Sequence, residues 1–204
     1  MIALHRIDPK AVLKTKHDGS KTVLQALKDV LKSVFDREAA AGGQGFVYAG
    51  DPVDPNARHP LMNGYALEPL IHAYEEAFQK DDPAYAAKLL ALIRRMTDWL
   101  MSITYGGDFD GAGRYRPLQI PYWIDITRPD DREGQIPYLL MAGNAAGFCY
   151  LETGQSGYRD YAKAAFRDYS RYLGVTAGDA YVNPPLRTPT CFNSIGYVDT
   201  EAKT

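Results

Sequence analysis

What is scarce in this sequence excludes more than what is abundant. No uncharged apolar run approaches the roughly 20 residues that cross a bilayer, so no membrane partner is expected. Charge of one sign is also lacking. The 23 Lys and Arg residues face 25 Asp and Glu, giving a formal net charge of -2. That leaves no electrostatic basis for binding nucleic acid or an anionic surface. Cysteine is nearly absent: Cys149 and Cys191 are the only two, too few for a disulfide framework or a zinc cluster, and both are expected to be free thiols. The histidines His5, His17, His59 and His72 are scattered without HxxxH or HExxH spacing, so no metal site is expected. No phosphate-binding loop, GxGxxG or GxSxG occurs, so no cofactor is expected either. The start, Met1-Ile2-Ala3-Leu4-His5-Arg6, lacks the charged-then-apolar pattern of a secretory leader.

Hydrophobic residues are plentiful at 46%, enough for a packed core, and charged residues stand at 24%. The aromatic set is skewed, with 15 Tyr against 7 Phe and 2 Trp. Tyr joins an apolar ring to a polar tip, which suits half-wet clefts as well as helix ends.

Five helices are read from apolar spacing. Val23, Leu24, Leu27, Val30, Leu31, Val34 and Phe35 mark the first, with Ser20 as its expected N-cap and Gly42-Gly43 as its stop. A second runs from Asn63 or Leu67 to Gln79, with Pro69 in its first turn or kinking it. Asp82 caps a third, Pro83 opens it, and an apolar stripe from Tyr85 to Ile103 continues it. The helical period then vanishes from Tyr105 to Gln135, with a short strand-like piece over 118–126. A loop of that length and aromatic content is uncommon unless it serves a function. Helices resume over 136–153 and from Tyr158 to Leu173, before a Pro-rich stretch over 175–204 that is expected to be poorly structured.

The third and fifth helices repeat. Adding 73 carries Tyr85 onto Tyr158, Leu89 onto Ala162, Leu92 onto Ala165, Arg94 onto Arg167 and Met96 onto Tyr169. Each is preceded by a helix and a tight polar turn. A hairpin of this kind buries only one face alone, so hairpins are expected to stack. The fold class expected is all-α, with stacked antiparallel helical hairpins forming a single domain over 1–204.

The segments LIHAYEEAFQKDDPAYAAKLLALIRRMTDWL (70–100) and LMAGNAAGFCYLETGQSGYRDYAKAAFRDYSRYL (140–173) resemble hairpins of the α/α-toroid proteins, the six-hairpin glycosidases and related polysaccharide lyases and epimerases. About two and a half hairpins are present where a toroid needs six or seven. The resemblance therefore implies a partial toroid, or a fragment of a longer chain, and leaves an oligomer or the remainder of such a chain open as partner.

The resemblance further implies a carbohydrate-active domain, with an oligo- or polysaccharide held by the long loops 43–60 and 104–133. In a glycoside hydrolase, Asp108, Asp110 and Asp125, or Glu68, would supply the paired carboxylates. In a lyase or epimerase, Tyr115 or His59 would take the proton, while Arg114, Arg116 or Asn144 neutralised a uronate. Tyr105, Tyr122 and Trp123 would stack on sugar rings. On that reading the protein would work in the periplasm or outside the cell. The alternative is a helical-repeat module that binds a protein, or a structural fragment without catalysis. The bland reading of Asp108-Phe109-Asp110-Gly111 is a turn whose carboxylates bond their own backbone.

Overall fold

A computed structural model describes residues 1–2, 5, 8–15, 19–45, 56–128 and 134–172. The Pro-rich stretch over 175–204, Cys191 and parts of both long loops (46–55 and 129–133) lie outside the described residues. The helices are α1 (Val23–Ala40), α2 (Pro60–Ala73), α3 (Pro83–Ile103), α4 (Leu139–Thr153) and α5 (Ser156–Tyr172). The strands are β1 (Val12–Thr15), β2 (Gly19–Thr22), β3 (Ala57–Arg58), β4 (Asp108–Phe109), β5 (Tyr115–Arg116), β6 (Ile120–Pro121), β7 (Ile124–Asp125) and β8 (Gly134–Gln135).

The chain is not all-α. Its strands pair as four two-stranded antiparallel sheets, β1–β2, β3–β7, β4–β5 and β6–β8. The expected all-α stack, a partial α/α-toroid, is thereby corrected to a mixed and mainly helical fold. The reason is backbone satisfaction. Segments rich in Gly and Pro do not hold a helix, so their N–H and C=O groups pair across short ladders instead. One of these ladders, Ala57 with Asp125 and Arg58 with Ile124, joins residues more than 60 positions apart, and no local pattern announces it.

Helix ends follow their chemistry. The hydroxyl of Thr22 accepts from the backbone N–H of Gln25 at 3.1 Å, so Thr22 is the cap of α1. Ser20, the expected cap, instead belongs to β2 opposite Lys14. Asp82 caps α3 by accepting from the N–H of Tyr85 at 3.0 Å, with Pro83 in the first turn. Pro60 opens α2 earlier than its apolar pattern indicated, and Pro69 sits inside it. Proline has no N–H to give back to the preceding turn, so the ladder is already broken there. A π-helical stretch, Tyr74–Phe78, follows, and a last helical turn, Gln79–Asp81, leads to α3.

The core lies among α2, α3, α4 and α5. Leu67, Leu70, Phe78, Leu89, Leu92 and Met96 are almost fully buried, each contributing roughly 2 kcal/mol of burial free energy. Gly143 lets α4 and α5 approach closely, since a Cβ there would lie 3.2 Å from the Cβ of Ala165. Positions related by 73 are buried in both helices at Leu89 and Ala162, Leu92 and Ala165, and Met96 and Tyr169. Ile93 and Phe166 break that symmetry: Ile93 is fully buried, whereas Phe166 is 37% exposed. α1 is tied to α3 by Arg95, which donates to both carboxylate oxygens of Glu38 at 2.8 and 2.9 Å. No helix among the described residues is long and apolar enough to cross a membrane.

Candidate functional site

Asp108 on β4 and Arg116 on β5 face each other across their ribbon and form a two-pronged ion pair. Asp110 closes the turn between these strands. It accepts from the backbone N–H of Ala112 and Arg114 at 2.9 and 2.8 Å and from the Arg114 side chain at 3.0 Å. Those bonds, led by the Arg114 N–H, hold its carboxyl below the usual carboxylate range. Asp125, on the separate β3–β7 ribbon, is buried. It accepts from the hydroxyl and N–H of Thr127 and from Arg128, which also lowers its pKa. Each of the three carboxylates is therefore held by its own neighbours.

Tyr115 is half-buried, and its hydroxyl contacts both carboxylate oxygens of Asp168 at 2.9 and 3.1 Å. Asp168 is completely buried on α5 and also accepts from the N–H of Leu118 at 2.7 Å. Arg167 completes the clasp, donating to Asp168 and to the Tyr115 hydroxyl, with its guanidinium 5.2 Å over the Tyr115 ring. A phenol so engaged is anchored rather than poised to take a proton. The first hairpin uses the equivalent positions similarly: Arg95, 73 residues before Asp168, ties α1 down through Glu38.

The remaining loop aromatics do not gather around these acids. Tyr105 pairs its backbone with Gln119. The rings of Tyr122 and His59 meet edge-on with centroids 6.4 Å apart, and the Tyr138 ring lies 6.3 Å from that of Tyr122. Trp123 is half-buried beside them in sequence. The carbonyl of His59 accepts from the side chain of Asn63, anchoring the start of α2.

Elsewhere on the surface, α2 and α4 leave a groove of about 420 Å³ between them, within the general range of roughly 300–1,000 Å³ for ligand sites. Leu67, Ile71, Met141, Phe148, Leu151 and Phe166 supply its apolar lining. Glu68, His72, Glu75 and Asn144 supply the polar part. Glu68 and His72 are four residues apart on one face of α2, and Glu75, in the π-helical stretch that follows, reaches the same groove. All four polar side chains are exposed, and none forms a hydrogen bond or ion pair with another described residue. No Lys or Arg lines the groove. Leu151, 79% exposed, is the most exposed large apolar side chain described.

Of the residues expected from sequence, Asn144 reaches this groove and meets Glu68 there. Asp108, Asp110, Tyr115, Asp125, Tyr105, Arg114, Arg116, Tyr122, Trp123 and His59 do not line it. His72 and Glu75 were not singled out in the sequence, although their spacing of four and seven residues from Glu68 is a signal that could have found them. Asp168 was not, because its partners lie 50 and 53 residues away. No group of three or more His, Cys, Asp or Glu among the described residues is placed to hold a metal ion.

The chain matches no protein-family model, no curated protein and no solved structure.

Proposed function

We propose that this protein is a binding module that captures a ligand or partner segment in the groove between α2 and α4. The observation that carries this reading is the state of the four polar groove side chains. In the Asp108–Asp125 loop every acid is engaged internally, whereas Glu68, His72, Glu75 and Asn144 stand free over apolar residues. Unengaged polar groups converging on an apolar concavity are what an orientation-specific binding site requires. Exposed apolar residues bordered by polar ones mark interaction surfaces for the same reason.

A carbohydrate ligand is the second reading, and one observation favours it. The exposed face of Phe166 gives a sugar ring a stacking surface beside Glu68 and Asn144, which can bond its hydroxyls.

Gly147 allows a clean test. It lines the groove, and a Cβ built on it meets nothing within 4 Å. Gly147→Trp therefore fills the groove from a position where the helix tolerates a side chain. The labelled methyl of Met141 reports occupancy by NMR while a glycan panel and a peptide panel are titrated. Ligands that shift this signal in the parent chain are expected to lose at least tenfold in affinity for Gly147→Trp. Silence across both panels, or undiminished binding by the filled variant, sinks the reading.

A further inference from the structure

The groove has a length and a charge, and together they specify what fits. Its lining runs from Gly64 on α2 to Glu75 in the π-helical stretch, and on α4 from Met141 to Leu151. At 1.5 Å per residue each edge spans roughly 15 Å, or about three helical turns. The apolar residues on both edges recur at three- and four-residue intervals, the spacing that accepts the anchors of an amphipathic helix. The two free carboxylates, Glu68 and Glu75, lie seven residues apart, about two helical turns, and both line the groove. With no cation among the lining residues, an incoming segment meets negative charge that this chain leaves unbalanced.

Building on the binding-module reading, we infer that the occupant is an amphipathic helical segment of another protein, with apolar anchors flanked by Lys or Arg about two turns apart. The anchors fill the space among Leu67, Ile71, Met141, Phe148 and Phe166. The flanking cations sit over Glu68 and Glu75. An acidic segment is rejected by the same two carboxylates, so the groove selects by repulsion as well as attraction. A second copy of this chain is disfavoured as occupant on the same ground. Groove against groove would set Glu68 and Glu75 against their own equivalents. The α1 lysines Lys28 and Lys32 are already paired with Asp82 and Asp36. His72 stands between the two glutamates in sequence, and Asn144 from α4 is left to bond exposed peptide polar groups.

The test uses the full chain and three synthetic helical peptides of about 14 residues, enough for the three turns required. Their leucine anchors are identical, and their flanks carry Lys, Gln or Glu. Fluorescence anisotropy gives each affinity at low and high salt. The Lys peptide is expected to bind about tenfold more tightly than the Gln peptide, the effect of two partly exposed charge pairs, and to weaken as salt rises. The Glu peptide is expected to bind more weakly than either. Glu68→Lys with Glu75→Lys is expected to reverse that order, a result that general loss of folding cannot produce.

Equal binding of the Lys and Gln peptides, or an unchanged order in the double variant, overturns the inference but leaves the groove reading standing. Failure of all three peptides overturns the inference; if the glycan panel also leaves Met141 unmoved, the groove reading falls with it. Concentration-dependent dimerisation abolished by Gly147→Trp identifies a second copy as the occupant and likewise overturns the inference.

Discussion

Two regions of this molecule carry clusters of charged and aromatic side chains, and they use them in opposite ways. The segment between α3 and α4 turns its acids inward on itself. Asp108 holds Arg116, Asp110 closes a turn, Asp125 caps another, and Tyr115 is clasped by Asp168. The groove between α2 and α4 has fewer polar residues, yet all four are unengaged. A dense cluster of catalytic residue types is thus not in itself a site. An acid that accepts several bonds from its own neighbours is doing the work of a turn or a latch. Free groups are the ones available to a ligand.

The contrast makes its largest prediction at Asp168. Replacing it with Ala removes the carboxylate that accepts from the Leu118 N–H and the Tyr115 hydroxyl, at a cost of about 3 kcal/mol. Urea denaturation is the measurement, and an unchanged midpoint would show that the clasp is not structural. A smaller effect is expected at Tyr74, whose hydroxyl donates from the π-helical stretch to Glu152 of α4 at 2.6 Å. Tyr74→Phe is expected to lose about 1 kcal/mol in the same assay.

Stability should also fall at both ends of the pH scale. The folded pKa values of Asp82, Asp110 and Asp125 are depressed, Asp82 chiefly by its bond to Lys28. Their contribution is complete above the unfolded carboxylate range near pH 4 and disappears as pH drops through the lower folded values. Tyr74 and Cys149 behave in the opposite sense. Burial pushes the phenol up to about 12 and the thiol up to about 11. Stabilisation from the Tyr74 phenol is therefore complete below its unfolded pKa near 10 and fades between there and about 12. Denaturation midpoints across pH 2–12 check both signs. For the same reason the Cys149 thiol should resist a thiol reagent at pH 8 until the chain unfolds, and prompt native labelling would contradict its burial.

The smallest stability effect belongs to the groove. Glu68→Gln together with Glu75→Gln should move the unfolding midpoint by less than about 0.5 kcal/mol, as expected of unengaged surface groups. A larger loss would mean that these carboxylates support the fold and would erase the contrast between the two regions.

What the sequence revealed follows the range of the interactions involved. The Asp82-Pro83 start of α3 was readable because a cap and its target lie three residues apart. The α1 cap was displaced from Ser20 to Thr22 because β2 runs on to the helix boundary, and that ribbon carries no helical period. Glu68 and Asn144 were recognised as chemically capable residues, but assigning them to one groove required the packing of α2 on α4. The β3–β7 ladder was missed for a similar reason, since its partners lie more than 60 positions apart. The other ladders are closer in sequence but span only two to four residues each, too short to show an alternating pattern. The abundant tyrosines proved to be crossing points more than platforms. Tyr74, Tyr115, Tyr158 and Tyr161 each reach another element through the hydroxyl.

The β4–β5 ribbon has a practical use in protein engineering. Its tip, Gly111-Ala112-Gly113, is exposed, while the strand pairing and the Asp168 clasp secure its base. Extra residues spliced at Ala112 would lengthen a loop already closed from behind, and each doubling of such a loop costs only about 0.6 kcal/mol. An epitope or a fluorophore-binding peptide could therefore be inserted there as a reporter, on a ribbon that does not line the α2–α4 groove and without interrupting any helix.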